Sequence, residues 1–300
     1  MEQKKSYNKK GGYALKSAGV TRINKLDIPS TITAISKVTN IPENDLFPLG
    51  SVGKTETSGD IDLGVDINKY DQKTIHQLMV DVLGESKCVY NYGTKVASYA
   101  FPISGNFDNG LVQVDLMYVA NPNWATFSYH SPDTTSKYKG AVRSILLMAT
   151  ATTFNEPGID YFKVDNITHD LLIRAGRTLD LNVGLRRIFQ YRPKSKKGDK
   201  YLKTMKSITA DKFVEMFPDV DICGDDIVYD NPQEVLKLLF GKELQPTDVD
   251  TAEQVIDLIN TNFNKDQQVA IYKKASDRAT SVFNKMKLPP ELTGYMDNAT

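Results

Sequence analysis

Phe47-Pro-Leu-Gly-Ser-Val-Gly-Lys-Thr-Glu-Thr-Ser-Gly-Asp-Ile-Asp-Leu-Gly-Val-Asp66 is the stretch that decides the fold. Its second half alternates: Asp60 and Asp62 are separated and followed by Ile61, Leu63 and Val65. A period of two predicts a strand with one apolar and one acidic face. Side chains two apart on a strand point the same way, roughly 6–7 Å apart. Two carboxylates held so close repel unless a cation lies between them. Downstream, Leu111-Val-Gln-Val-Asp-Leu-Met-Tyr-Val119 repeats the pattern around a single acid, Asp115, set among Val112, Val114 and Leu116. If this strand pairs with residues 60–66, Asp60, Asp62 and Asp115 converge. Three hard oxygen ligands suit Mg2+ or Mn2+, which leave coordination positions open for substrate phosphates. Two such ions about 3.5–4 Å apart serve displacement at phosphorus.

The first half of the stretch is a turn. Gly50 lets the backbone approach a ligand closely, and successive N–H groups there can form an anion nest to which the Ser51 hydroxyl adds a donor. Lys54 offers positive charge to a phosphate. The plainer alternative is that Gly50 and Gly53 only turn the chain and Lys54 is solvated. Gly-Ser-Val-Gly-Lys-Thr55 imitates the end of a P-loop, but that loop needs a glycine where Pro48 stands and must open a helix, whereas this turn feeds a strand.

Leu49-Gly50-Ser51, then Asp60-Ile61-Asp62-Leu63, then Val114-Asp115-Leu116 resembles the three-part signature of the DNA polymerase β-like nucleotidyltransferase superfamily. The resemblance covers roughly residues 30–120. It implies metal-dependent transfer of a nucleoside monophosphate from an NTP to an acceptor. Under it Ser51 would bind phosphate, Asp60 and Asp62 would ligate both metals, and Asp115 would help activate the acceptor hydroxyl; the reading of the turn and strands adds Gly50 and Lys54 at the phosphates and Asp115 as a third ligand of Mg2+ or Mn2+.

The chain has 300 residues, zero formal net charge and 40% hydrophobic residues, enough for one large or two ordinary cores. Neutrality removes any global pull toward nucleic acid or membrane, so such a signal must be local. Two cysteines, Cys88 and Cys223, are too few and too far apart for a disulfide framework or a zinc site, and fit a reducing, cytoplasmic setting. No apolar run is long enough for a signal peptide or a membrane span.

The fold class expected is α+β: a small mixed sheet flanked by helices, with an appended β-hairpin and a helical C-terminal region. Residues 1–25 read as a basic arm, 26–153 as a nucleotidyltransferase-like catalytic domain, and 154–300 as a mixed hairpin and helical domain. Helices are expected from about Asp27 to Ile41 and from the Asp71 cap to Gly84. Strands are expected at 87–92, 97–103 and 111–119, with a hairpin-style turn at Asn106–Gly110. The segment 121–132 reads as an aromatic loop whose Trp124, Phe127 and Tyr129 either stack a base or plug the sheet edge. A helix is expected over 134–152, carrying Lys137, Lys139 and Arg143 near its start, toward triphosphate oxygens or as a plain charged face.

Residues 171–176 and 179–192 read as strands, 193–199 as a turn and 200–206 as a return. This region gathers Arg186, Arg187, Arg192, Lys194, Lys196 and Lys197 around Phe189, Tyr191 and Tyr201. A basic, aromatic-spaced hairpin over 184–206 is the candidate contact for RNA, the alternative being soluble surface. Helices follow at 210–217, 232–240, 248–262 and 266–286. Acids at 219–230 lack the ligand order and glycine of a calcium loop. The acceptor is therefore expected to be RNA, with a protein- or small-molecule-modifying enzyme of toxin or antiviral type, or a non-catalytic nucleotide- or nucleic-acid-binding protein of the same fold, as alternatives.

Overall fold

The structure, a computed structural model, describes residues 15–91, 93–131, 140–153, 162–163, 171–193, 206–216 and 228–282. The chain divides into two compact units, Met1–Gly140 and Ala141–Thr300. Its class is mixed α+β: a five-stranded mixed sheet flanked by helices, and a separate antiparallel sheet built on a hairpin.

In the first unit, the short strand β1 (Ile23–Asn24) leads into helix α1 (Ile28–Thr39), then β2 (Phe47–Pro48), β3 (Thr57–Ser58), β4 (Asp60–Asp66), helix α2 (Gln72–Leu83), β5 (Cys88–Asn91), β6 (Val96–Pro102), β7 (Leu111–Val119) and helix α3 (Pro122–Ser128). The main sheet runs β2-β4-β7-β6-β5. β4 and β7 are parallel, with Asp62 opposite Asp115, and the other pairings are antiparallel. A parallel pair needs a long crossover, and α2 with the β5–β6 hairpin provides it. α2 forms where its caps require: Asp71 accepts from the Thr74 amide, and Gly84, at φ 83°, closes the last turn on the Val80 carbonyl.

One face of the sheet is packed mainly with apolar side chains. Ile61, Leu63 and Val65 pack with Val112, Val114, Leu116 and Tyr118 against Ile35 of α1 and Ile75 and Met79 of α2. Each such side chain stabilises by about 1.5–3 kcal/mol when buried. A one-residue slip of β4 would exchange these groups for Asp60 and Asp62, so the register is strongly specified. The opposite face, which carries Gln113, Asp115, Met117 and Val119, is covered at its two ends. At one end Leu15 and Val20 pack with Ala100 and Leu111. At the other, Ala125 of α3 packs with Leu49, Val119 and Met117. The acids lie between these covers.

Three local expectations change. Residues 15–25 are built into the unit rather than forming an arm: Leu15 and Ile23 are buried, Val20 bridges Leu111, and β1 pairs with β3. Residues 1–14 lie outside the described part. The aromatic segment after Asn121 is the helix α3, not a loop, because Asn121 caps the Trp124 amide and Pro122 occupies the first turn. Trp124 is fully buried, which leaves the plug and removes base stacking by this residue.

In the second unit, helix α4 (Gly140–Thr153) precedes β8 (Phe162–Lys163), β9 (Leu171–Asp180), β10 (Gly184–Pro193), β11 (Lys206–Thr209), helix α5 (Ala210–Met216), β12 (Val228–Tyr229) and helices α6 (Pro232–Phe240), α7 (Ala252–Asn262) and α8 (Lys265–Val282). α4 belongs here and not with the acid-bearing unit. Its Arg143 is fully buried and donates to the Val249 carbonyl, and Lys274 of α8 donates to the Thr152 carbonyl. Arg143 thus faces a protein core, not solvent or a triphosphate; Lys137 and Lys139 lie outside the described residues. β9 and β10, ten residues each, form one hairpin whose turn falls at 181–183, inside the segment expected as a single strand over 179–192. Among the described residues no helix is long and apolar enough to cross a membrane.

Candidate functional site

β4 and β7 bring Asp60, Asp62 and Asp115 to one point. A carboxylate oxygen from each lies within 4.8 Å of the others, and all three side chains are half-buried. The alternation noted in the sequence is the cause. Asp60 and Asp62 share a face of β4, and the parallel register sets Asp115 beside Asp62 and Gln113 beside Asp60.

The electrostatics of the three acids differ. Burial, then the charges of Asp60 and Asp115, push the Asp62 carboxyl up to about 7. Burial and the Asp115 charge raise Asp60, and Arg22 pulls it back. Burial raises Asp115, while hydrogen bonds from Ser98 and Gln113 favour its ionised form. The Gln113 amide donates to both Asp115 oxygens, at 3.1 and 3.0 Å. All three carboxylates have raised proton affinity, chiefly through burial, and Asp60 and Asp62 also through the acids beside them. A proton relieves the cost of these charges at low pH, and a bound divalent cation could relieve it at neutral pH. The donor set, all carboxylate oxygen, suits a hard cation. Asp60, Asp62 and Asp115 could therefore hold a metal ion.

The Gly50-Ser51 turn adjoins this centre. Gly50 adopts φ 60°, a conformation that favours glycine, and a β-carbon there would lie 3.3 Å from Asp62 Oδ2, a tight contact. The turn is less open to anions than the sequence implies. The Gly50 amide donates to the Tyr129 carbonyl, Val52 to Leu49, and Lys54 to Ser51, while the Gly53 amide donates to the Ser58 hydroxyl. Ser51 is exposed at the apex, and its amide and hydroxyl are the groups best presented to a ligand. The Lys54 ammonium donates to the Ser131 carbonyl and sits 3.4 Å from His130 Nδ1, which ties the turn to the segment after α3.

The basic hairpin fares differently. Arg187 is buried, its guanidinium 5.1 Å from the centre of the Phe189 ring, and Arg186 is largely covered and lies 3.5 Å from Asp211. Arg187 is thus buried within the second unit, while Arg186 is paired with the exposed Asp211. Arg192 is placed by its pairing with Leu172 on β9, and Lys194, Lys196 and Lys197 lie outside the described residues.

Two residues at the site are absent from the sequence-based expectation. Gln113 carries a signal, since it stands two before Asp115 and so shares its face. Arg22 carries none: its Nε and Nη2 bond the Thr57 hydroxyl and carbonyl at 3.0 and 2.7 Å, and only the pairing of β1 with β3 brings it near Asp60. Cys88 is half-buried with its thiol pushed up to about 11 by burial, far from a reactive thiolate. Comparison of the chain with protein-family models, with curated proteins and with solved structures returns no match.

Proposed function

We propose that this chain is a divalent-metal-dependent nucleotidyltransferase that moves a nucleoside monophosphate from an NTP to an acceptor hydroxyl. The observation that carries the proposal is the convergence of Asp60, Asp62 and Asp115 within 4.8 Å beside a glycine turn with an exposed serine. Asp60, Asp62 and Asp115 would hold Mg2+ or Mn2+, which when bound neutralises charge on the phosphates and lowers the pKa of an attacking hydroxyl. Ser51 donates to a phosphate oxygen from its amide and hydroxyl, and Gly50 leaves the space for that approach. The acceptor oxygen forms a bond to the α-phosphorus, the bond from that phosphorus to the bridging oxygen breaks, and pyrophosphate departs with that electron pair. The hydroxyl proton passes to a carboxylate oxygen of Asp115. Catalysis of this kind rests on positioning and electrostatics.

RNA is the acceptor proposed first. Arg187 is buried and Arg186 is paired with Asp211, so a polyanion contact from this region rests on Arg192, Lys194, Lys196 and Lys197. One observation favours a second reading, a metal-dependent nucleotide binder without transfer. The turn amides of Gly50, Val52, Gly53 and Lys54 are given to protein oxygens, which weakens the grip on a triphosphate.

The test has two arms. Calorimetric titration with Mn2+ and each NTP measures binding, and incubation of each radiolabelled NTP with cell extract measures transfer. The enzyme reading expects label on an acceptor with wild type and none with Asp60→Ala/Asp62→Ala. Nucleotide binding without label supports the binder. No binding of metal or of any nucleotide overturns both.

A further inference from the structure

We propose that Gln113 is a positioning residue of the acid centre, holding the Asp115 carboxylate in place through an amide whose own orientation is fixed by the backbone of Leu15. The proposal rests on the metal-centre reading above and extends it to a residue outside the acid signature.

Gln113 is a buried polar side chain, only 4% exposed, on the acid-bearing face of β7. Buried amides must place both ends. Its NH2 group spans the two Asp115 oxygens at 3.0 and 3.1 Å, and its carbonyl oxygen accepts the Leu15 amide at 3.3 Å. Reversing the amide would set its oxygen against the Asp115 carboxylate and its NH2 against the Leu15 N–H, so both ends select one orientation. Leu15 is itself anchored, 2% exposed among Val20 and Ala100. The relay therefore runs from the Leu15 N–H to Gln113, and from Gln113 to Asp115.

The residue type fits the task. A lysine would carry a charge that competes with a cation. A glutamate would add a fourth like charge and no donor. A glutamine is neutral, donates to a carboxylate and leaves the outward lone pairs of that carboxylate for a metal. Partners of this kind orient ligands and are worth about 10–100-fold in metal affinity.

The experiment is Mn2+ titration by calorimetry of wild type, Gln113→Met, Asp115→Asn and the double variant, with thermal unfolding of each in the absence of metal. Gln113→Met conserves length and volume and removes the donor. Mn2+ affinity is expected to fall about tenfold in Gln113→Met. In the Asp115→Asn background the same substitution is expected to leave affinity unchanged, because its effect travels through Asp115. An equal loss in both backgrounds, or wild-type affinity in Gln113→Met, overturns the proposal and leaves the metal-centre reading standing. Absence of Mn2+ binding to the wild type overturns that reading and this proposal together. Gln113→Asn, which withdraws the amide by one methylene, carries the same expectations if Gln113→Met does not fold.

Discussion

Two β-structures in this protein carry closely spaced like charges, and they treat them in opposite ways. On β4 and β7 the acids stay half-exposed, crowd one another and are drawn toward the neutral form, Asp62 up to about 7. On β10 the arginines are absorbed: Arg187 lies buried 5.1 Å from the Phe189 ring centre, and Arg186 sits 3.5 Å from Asp211. Charges that find a counter-charge or an aromatic face inside their own unit are spent on structure. Charges left facing each other call for something from outside. Charge density on a strand therefore does not by itself mark a site.

The hardest blow to this contrast is Asp62→Asn. It is expected to reduce Mn2+ affinity by roughly a hundredfold or more, read by calorimetry. In the metal-free protein the same change is expected to stabilise, by an amount on the order of 3 kcal/mol at pH 8, because a carboxylate disfavoured by burial and then by the charges of Asp60 and Asp115 becomes a neutral amide. Loss of stability together with unchanged Mn2+ affinity would mean that the acids are compensated after all.

The next effect is on pH. In the metal-free fold the Asp62 carboxyl keeps its proton up to about 7, against an ordinary 3.8 in the unfolded chain. At this group the folded state binds more protons across that window, so the Asp62 contribution to stability is greatest below about pH 4 and is lost as pH rises toward 7. Mn2+ is expected to restore it at neutral pH, and Asp62→Asn to flatten the slope. Urea unfolding at several pH values, with and without Mn2+, measures both.

Gly50→Ala comes third. The left-handed backbone costs about 1–2 kcal/mol for an alanine, and the added carbon would crowd Asp62 Oδ2 from 3.3 Å. Unfolding and Mn2+ titration should both register the change; a loss of stability alone would detach the turn from the acid centre.

The hairpin supplies the smallest effects. Arg187→Ala is expected to cost about 1–3 kcal/mol of stability through poorer packing, and Arg186→Gln under about 1 kcal/mol. Neither should alter the salt dependence of RNA binding in a filter assay. Alanine at Lys194, Lys196 and Lys197 should do the reverse, lowering the slope of log affinity against log salt by about 0.7–0.9 for each phosphate that is no longer neutralised. A slope change in Arg187→Ala would return that arginine to the surface.

Much of this is legible in the sequence. The strands 60–66 and 111–119 have the bounds that alternation predicts, because strict alternation around buried residues leaves one register. α2 is legible from Asp71 and Gly84, and α6 from its apolar face. The helix after Asn121 is harder to see. Asn-Pro at a cap is its signal, but the aromatic density that follows resembles a stacking loop. The turn at 181–183 is hidden because Leu181-Asn-Val183 carries no glycine, the glycine following at Gly184.

The sequence alone determined which face of each strand is acidic and that a glycine must precede the acids, since both follow from a period of two and from local backbone sterics. The tertiary structure decided the rest. It set β7 parallel to β4 so that Asp115 meets Asp62, brought Arg22 and Leu15 across to Asp60 and Gln113, buried Arg187 and paired Arg186 with Asp211. Those outcomes depend on contacts between residues far apart in the chain, whose closure is governed by the burial of whole faces and not by any local pattern.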